Sequence, residues 1–304
     1  MLRKKSDIEE IEMDLTGLCN LKCPLCTRNY SHAQHLVGKN IRHIDEIKAQ
    51  LDTFPNLKRF FIAGAVSEPT MYKYFLEFIE YLNSRNISYE LFTNGNTHKP
   101  EWWTKLGTMV PEHCKVAFTI CGSTQELHET YRVGSNLQQI LNNAEAYRKS
   151  GKTNDYIQHI LFEYNQEDLK SKAMQNIIKS FNNKMLIDTE GIRRLNEYKS
   201  PVPIGVQPKT NRDRAIRSIF KNRPRPDDGK KYEIQCKSIK NNKVYINQWG
   251  QISACYIHAE FEKDYFEGDT FDYTDILNFK YSDCFLCEKR TNCLIEKTGL
   301  YFVC

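Results

Sequence analysis

Apolar residues in the first 190 positions follow two alternating periods, one typical of β-strands and one typical of α-helices. The stretch IEEIEMDLT at 8–16 alternates with period two and predicts a strand. The stretch HIDEIKAQLDTF at 43–54 has apolar residues at 44, 47, 51 and 54, which is the spacing of one helix face. The two patterns then repeat along the chain.

The repeat predicts six strands with helices between them. The other strands are expected at 57–64, 87–93, 114–120, 155–164 and 184–188. The other helices are expected at 69–85, at 101–110, in the region before Lys149 and at 166–181. Such alternation is typical of parallel βα units. Because eight units would close a full barrel, six predict a partial (β/α)6 barrel of the TIM-like kind.

The pattern changes after the sixth strand. The segment 191–231 is basic and contains several prolines, and the stretch KVYINQWGQISAC at 243–255 predicts a β-hairpin with a turn near Gly250. A cysteine-rich tail with little core-forming sequence follows. We therefore expect a barrel domain at 1–190, a basic linker at 191–231 and a small cysteine-rich module at 232–304.

Composition supports a folded α/β protein of 304 residues, since 40% of the residues are hydrophobic. No apolar run approaches the roughly 20 residues of a membrane span, and the N-terminus lacks the apolar stretch of a secretory signal. A cytoplasmic location is expected. The segment 191–231 has twelve Lys and Arg against four Asp and Glu, so its net charge is +8 in a chain of +5. It is either a solvated linker or a docking surface for an acidic peptide or a nucleic-acid backbone.

The chain has eleven cysteines. In a reducing compartment, such a number indicates metal binding or catalysis rather than disulfides. Cys19, Cys23 and Cys26 have the spacing C-x3-C-x2-C and directly follow the first predicted strand, where parallel α/β folds bind ligands. One interpretation is a Cys3His zinc site that uses His32 or His35. The other, which the spacing favours, is a [4Fe–4S] cluster whose fourth iron is open to a small molecule.

Three later motifs follow strands two, three and four: GAVSEPT at 64–70, FTNGN at 92–96 and FTICGSTQELHETYRVGSN at 118–136. With the cysteine motif, they resemble the radical S-adenosylmethionine (radical SAM) superfamily over about residues 8–190. The stretch FEYNQEDL at 162–169 is similar to a fifth-strand segment of many members. Each motif is weak alone, and the ordered set carries the resemblance.

The resemblance implies that Cys19, Cys23 and Cys26 hold a [4Fe–4S] cluster and that SAM binds its open iron. Electron transfer to SAM then yields a 5′-deoxyadenosyl radical, which abstracts hydrogen from a C–H bond, and the electron comes from a reductant such as flavodoxin or ferredoxin. The resemblance also implies a set of SAM-binding positions, from the loop that lies against the SAM amino group to the barrel interior near the ribose: Gly64, Ser67, Glu68, Pro69, Thr93, Asn94, Gly95 and Thr119.

The sequence departs from the family pattern at three positions. Leu25 stands where an aromatic residue is common, and Ser67 replaces the usual glycine before the glutamate. Cys121 stands where many relatives have aspartate. This thiol is either neutral packing or a candidate catalytic group near the radical, as hydrogen donor or acid. His128 and Arg132, four residues apart on a predicted helix, either belong to the family's H-x-x-x-R segment or share one solvated face.

The tail resembles the SPASM or twitch extension of radical SAM enzymes. This implies one auxiliary [4Fe–4S] cluster held by Cys236, Cys255, Cys284 and Cys287. A rival set replaces the first two ligands by Cys293 and Cys304. Lys297 stands where the two-cluster extension has a further cysteine, so a single auxiliary cluster is expected, with structural zinc as the alternative.

The expected function is C–H activation on a peptide or protein, as in maturation of ribosomal peptides. The alternatives are dehydrogenation of a small carbohydrate-type molecule and, from another class, a zinc-binding nucleic-acid or protein interaction module. Only 18 residues precede Cys19, so a peptide-recognition domain is expected as a separate chain. Nucleic acid and membranes are not expected partners.

Overall fold

The computed structural model describes residues 2–24, 26–29, 31–38, 41–188, 237–254 and 265–273. Several predictions concern residues outside this set. These are Leu25, the basic segment 191–231 and all six tail cysteines: Cys236, Cys255, Cys284, Cys287, Cys293 and Cys304.

The described strands are β1 (Leu2–Lys4), β2 (Glu10–Met13), β3 (Arg59–Ile62), β4 (Ser88–Thr93), β5 (Lys115–Thr119), β6 (Asp155–Ile160), β7 (Met185–Asp188), β8 (Lys243–Ile246), β9 (Ile252–Ser253) and β10 (Thr270–Asp272). Strands β2 to β7 lie side by side in chain order, and every neighbouring pair among them is parallel. These are the six strands that the hydrophobic pattern predicts. The prediction of a partial (β/α)6 barrel is confirmed.

The described α-helices are α1 (Ile44–Asp52), α2 (Phe75–Ser84), α3 (Pro100–Met109), α4 (Gln125–Tyr131), α5 (Leu137–Arg148), α6 (Lys172–Ser180) and the short α7 (Lys237–Lys240). The predicted apolar face of α1 is buried, with Ile44, Ile47, Leu51 and Phe54 each at most 2% exposed. Helix α3 also packs on α5, and Trp103 of α3 lies against Phe118 of β5 in the core. The helices thus bury their apolar faces on one side of the sheet.

The second helix begins later than its pattern predicts. The expected start near Pro69 is wrong, because Pro69–Met71 form a short 3-10 turn and α2 begins at Phe75. The Glu68 side chain caps this turn by accepting from the Thr70 N–H. The Tyr72 hydroxyl donates to the Arg42 carbonyl oxygen at 2.9 Å. These contacts hold the segment close to the sheet and delay the helix.

The predicted hairpin is present as β8 and β9, which pair antiparallel. Its turn is closed by Asn247, whose Oδ1 accepts the N–H groups of Trp249 and Gln251, both at 3.0 Å. The sequence did not predict where the hairpin lies. Strand β8 pairs in parallel with β2, with Tyr245 opposite Glu12, so the hairpin extends the barrel sheet beyond its first strand.

The N-terminal strand β1 pairs antiparallel with β10 and forms a separate two-stranded sheet. Phe271 of β10 is fully buried and stacks on Phe54 at 6.4 Å between ring centroids. This small sheet therefore covers the end of α1. Among the described residues, no helix has both the length and the apolar character needed to cross a membrane.

Candidate active site at the carboxyl ends of the strands

A cavity of about 220 Å³ opens where the parallel strands end. Its lining combines three cysteines, two arginines, one glutamate and the loops that follow the strands: Cys19, Leu21, Cys23, Cys26, Arg28, Ala63, Gly64, Ala65, Val66, Ser67, Glu68, Phe92, Thr93, Asn94, Thr119, Tyr131, Arg132, Gln158 and Ile160. Most of the predicted site residues in the described part of the chain therefore meet in one place. Pro69 and Gly95 are adjacent to lining residues but do not line the cavity.

The cysteine loop follows β2 and is fixed through its backbone. The Lys22 N–H donates to the Val133 carbonyl oxygen at 2.9 Å, which joins the loop to the end of α4. Cys26 donates its N–H to the Cys23 carbonyl oxygen at 3.1 Å and begins a tight turn. Cys23 is buried, whereas Cys19 and Cys26 are half-buried. None of the three is in a disulfide, and all three line the same cavity.

The cysteine loop is also bonded to the loops after β3 and β4. The Glu68 N–H donates to the Leu18 carbonyl oxygen at 2.8 Å, and Arg28 donates through Nη1 to the Val66 carbonyl oxygen at 2.7 Å. Asn20 accepts from Asn94 Nδ2 at 2.8 Å through its side-chain oxygen. Three sequence motifs that are far apart in the chain thus form one hydrogen-bonded unit.

The Glu68 carboxylate lies at the centre of this unit and is 2% exposed. Its Oε1 accepts from the Thr70 N–H, the Thr70 hydroxyl and the Thr93 hydroxyl at 3.2, 2.7 and 2.7 Å. Its Oε2 accepts from the Asn94 N–H at 2.7 Å. These four bonds satisfy a carboxylate that would be costly to bury unpaired. Glu68 therefore joins the loops after β3 and β4, besides capping the 3-10 turn.

Gly64 takes a left-handed backbone conformation, with φ of 60°. A Cβ at this position would lie 2.7 Å from the Ser67 carbonyl oxygen and 2.8 Å from the Ser67 hydroxyl. Both facts require glycine here. The loop from Ala63 to Glu68 is folded tightly on itself, and its whole length lines the cavity.

Asp14 directly follows β2 and supports the loop from Ala63 to Glu68 through its carboxylate. It is fully buried, and its Oδ1 accepts from the Ser67 hydroxyl at 3.0 Å. Its Oδ2 accepts from the Tyr245 hydroxyl of β8. Burial raises the pKa of the Asp14 carboxyl to about 6, although the hydrogen bonds from Tyr245 and Ser67 oppose the shift.

The interpretation that His128 and Arg132 share one solvated face is wrong. His128 is fully buried, and its Nδ1 accepts from the Cys121 N–H at 3.1 Å. Burial lowers the pKa of His128 to about 3, with further contributions from Arg132 and His159, so the imidazole is neutral at pH 7. Arg132 is half-buried, lines the cavity and donates to Cys23 Sγ at 3.6 Å. Of the two residues, Arg132 therefore lines the cavity, and His128 is buried next to it against Cys121.

Cys121 lies behind the cavity rather than in its lining. It is fully buried in an apolar cluster with Leu21, Tyr131 and Phe162. Its carbonyl oxygen accepts from Asn165 Nδ2 at 2.9 Å, so the 162–169 stretch supports the end of β5. This surrounding favours the packing interpretation. A catalytic role of the thiol stays a prediction.

Thr119 lines the cavity from β5 and donates to Gln158 Oε1 of β6 at 3.0 Å. The zinc interpretation needs a histidine near the thiols. His35 instead packs at the hairpin tip, where its carbonyl oxygen accepts from the Trp249 indole at 3.2 Å and its Nε2 lies 3.3 Å from the Tyr265 hydroxyl. His35 does not line the cavity. The side chain of His32 lies outside the described part of the chain.

Sequence reasoning missed Asp14, Asn20 and Tyr245. Asp14 could have been found, because a polar residue at the carboxyl end of a buried strand is a site candidate. Asn20 stands inside the cysteine motif, but nothing in its type distinguishes it from a turn residue. No sequence signal indicates Tyr245, whose partner Asp14 is 231 positions away.

The donor set fits an iron–sulfur cluster. Burial raises the pKa of the Cys19 thiol to about 12, with smaller contributions from Glu68, Cys26 and Cys23. Without a bound cation, this thiol keeps its proton at neutral pH, whereas a bound metal deprotonates its thiol ligands. The Arg132 guanidinium beside Cys23 would compensate part of the negative charge that three thiolates bring.

Comparison with known families identifies the fold and the motifs together. The family model of the radical SAM superfamily matches residues 13–173, more than half of the 304-residue chain. The chain belongs to the radical SAM superfamily. No curated protein matches the sequence. The matched range begins at the last residue of β2 and contains the cysteine loop, β3 to β6 and all residues that line the cavity.

Two solved structures of SuiB share the fold of this radical SAM chain. SuiB of Streptococcus suis has a TM-score of 0.58 at 14% identity, over 86% of this chain and 63% of SuiB. SuiB bound to precursor peptide SuiA has a TM-score of 0.57 at 16% identity, over 87% and 64%. For anSMEcpe with bound AdoMet and Cp18Cys peptide, the TM-score is 0.46 at 17% identity, over 60% and 50%. The chain spans between half and two thirds of the length of these proteins.

The substitution Glu68→Gln tests the central carboxylate. A side-chain amide directs an N–H group at one of the donors that Glu68 now accepts, which leaves buried groups unpaired. We expect the free energy of unfolding of the metal-free protein to fall by about 1–3 kcal/mol, as measured by chemical denaturation. Glu145→Gln is the control. Glu145 is exposed, and its Oε1 lies as far as 4.0 Å from Lys149 Nζ, so its ion pair is weak. An equal effect of both substitutions would contradict the role of Glu68.

The substitution Asp14→Asn tests the buried carboxyl through pH. With a pKa of about 6, Asp14 holds its proton to higher pH in the folded chain than in the unfolded chain. The free energy of unfolding therefore falls as pH rises from about 4 to 6. Relative to Asp14→Asn, the wild type should lose about 3 kcal/mol over this window. Asp45→Asn is the control, because Asp45 is exposed. If the free energy of unfolding of the wild type and of Asp14→Asn changed with pH in parallel, the prediction would be refuted.

Proposed function

We propose that this protein is a radical SAM enzyme that cleaves SAM reductively and abstracts hydrogen from a C–H bond of a peptide or protein substrate. The observation that carries the proposal is the convergence of three cysteines and three motif-bearing loops on one cavity at the carboxyl ends of the strands. No single motif supports it as well, because each alone has an ordinary structural explanation.

Cys19, Cys23 and Cys26 would hold the [4Fe–4S] cluster, and the loop from Gly64 to Glu68 would bind SAM beside it. When bound, the cluster and SAM supply a one-electron cleavage that generates a 5′-deoxyadenosyl radical. The protein's own residues position and shield this chemistry. Phe92, Tyr131 and Ile160 also line the cavity, and Tyr131 and Ile160 share an apolar cluster with the three cysteines. These side chains would limit the access of water to the site.

Two observations support a peptide substrate. SuiB, which shares this fold, has been solved with a precursor peptide bound. The segment 191–231 has a net charge of +8 and would attract an acidic peptide segment. The tail cysteines would hold one auxiliary [4Fe–4S] cluster of the SPASM or twitch type. Dehydrogenation of a carbohydrate-type molecule is the second candidate within the same chemistry.

The cellular setting is part of the proposal. None of the five cysteines in the described part of the chain is in a disulfide, which agrees with a reducing cytoplasm. A flavodoxin or ferredoxin would supply the electron, and a separate chain would recognise the peptide. A zinc-binding interaction module is the candidate from another class.

The first experiment measures iron, colour and SAM cleavage together. Anaerobically purified protein should be brown, absorb broadly near about 400 nm and contain roughly eight irons per chain if both clusters are [4Fe–4S]. Replacing Cys19, Cys23 and Cys26 together by Ala should remove about four irons and abolish the formation of 5′-deoxyadenosine from SAM under reductant.

The matched control is Cys114→Ala. Cys114 is fully buried and accepts from the Tyr89 N–H at 3.3 Å, far from the cavity lining. Its replacement should leave iron content and SAM cleavage unchanged. Colourless protein that contains zinc alone would refute the enzyme proposal. Deoxyadenosine formation that survives the triple substitution would refute the assignment of the ligands.

The substitution Arg132→Gln should lower the reduction potential of the cluster. Reduction adds negative charge beside the guanidinium, which now donates to Cys23 Sγ at 3.6 Å. We expect a shift on the order of 50 mV, about tenfold in the one-electron equilibrium, in a potentiometric titration followed by electron paramagnetic resonance. Arg59→Gln, at the far end of β3, should leave the potential unchanged, and a shift of equal size there would contradict the assignment.

A further inference from the structure

The loop that lines the cavity from Ala63 to Glu68 has a support outside the barrel motifs. Ser67, one of the departures from the family pattern, donates its hydroxyl to Asp14 Oδ1 at 3.0 Å. A side chain of this loop is thus held by a buried acid.

The other carboxylate oxygen of Asp14 accepts from the Tyr245 hydroxyl. Tyr245 lies on β8 of the C-terminal hairpin, and its side chain is fully buried. The register explains how it reaches Asp14. Tyr245 pairs with Glu12 of β2, and residues 12 and 14 of a strand point to the same face. The Asp14 N–H also donates to the Ile246 carbonyl oxygen at 3.0 Å.

The hairpin contacts the surroundings of the cysteine loop at a second point. Gln248 Nε2 donates to the Leu36 carbonyl oxygen at 2.5 Å. The segment that contains Leu36 returns to the cysteine loop through the backbone bridge between Gly38 and Gly17. The hairpin therefore supports both sides of the cavity, the side of the thiols and the side of the 63–68 loop.

We propose that Tyr245 is a positioning residue of the SAM site, which acts through Asp14 on Ser67, so that the C-terminal hairpin is a necessary part of SAM binding. This inference rests on the proposed function. It assigns to residues beyond the matched range 13–173 a role in the site that this range would otherwise contain entirely. Ser67 in place of glycine then has a reason, because its hydroxyl is the group that Asp14 holds.

The experiment uses the full chain loaded anaerobically with iron and sulfide. It compares Tyr245→Phe with Tyr273→Phe, and it measures iron per chain, thermal unfolding and the dissociation constant of SAM by equilibrium dialysis. Tyr273 is the matched control, because it is also fully buried. Its hydroxyl donates to the carbonyl oxygen of Lys243, at the other end of β8, at 3.2 Å. A general loosening of the hairpin would therefore affect both variants.

We expect Tyr245→Phe to raise the dissociation constant of SAM about tenfold, while iron content stays at the wild-type value and Tyr273→Phe binds SAM normally. In an Asp14→Asn background, Tyr245→Phe should raise the constant less than about twofold further, because its effect passes through Asp14. Ser67→Ala should weaken SAM binding in the same direction and serves as the second variant where Tyr245→Phe folds poorly.

Wild-type affinity in both Tyr245→Phe and Ser67→Ala would overturn the inference. Equal loss in Tyr273→Phe, or full additivity with Asp14→Asn, would also overturn it. These outcomes differ from a failure of the proposed function. In that case the wild type itself would hold no iron–sulfur cluster or bind no SAM.

Discussion

The candidate SAM site depends above all on the buried carboxylate of Glu68. It accepts four hydrogen bonds, two from Thr70 and one each from Thr93 and the Asn94 N–H. A carboxylate has about four acceptor positions, so this one is saturated. Any rotation of the loop after β3 relative to the loop after β4 leaves a buried donor or acceptor unpaired, which is costly. The relative position of the two motif loops is therefore fixed by a single side chain.

Asp14 repeats this arrangement one strand away. It also lies at the carboxyl end of a parallel strand, is buried, and receives its hydrogen bonds from loop and neighbouring-strand groups. The carboxylate oxygens of both acids accept their hydrogen bonds from the protein itself. The backbone of the 63–68 loop and the cysteine loop are thus held rigid without a ligand, which is the preorganisation that a site for radical chemistry needs.

The sequence predicted the six parallel strands, because each has a clear apolar pattern bounded by turn residues. It also predicted that the motif loops meet, since parallel strands end at the same edge. It misplaced the start of α2 and left open the side of α4 that His128 and Arg132 occupy. Both shortcomings have the same cause. The pattern records helical periodicity, whereas the contacts of Tyr72 with Arg42 and of Arg132 with Cys23 are long-range and leave no local signal.

The position of β8 resolves a weakness of a six-strand partial barrel. Strands in chain order leave the first one at the edge, with unpaired backbone groups along one side. Here that first strand, β2, is the one that leads into the cysteine loop. Pairing with β8 from Glu10 to Met13 makes β2 an inner strand and brings Tyr245 to Asp14. The C-terminal hairpin thus gives the strand that leads into the cysteine loop the support that the eighth strand gives the first in a closed barrel. Because Cys19 lies six residues beyond the end of this pairing at Met13, stable pairing of β8 and precise placement of the thiols become one requirement.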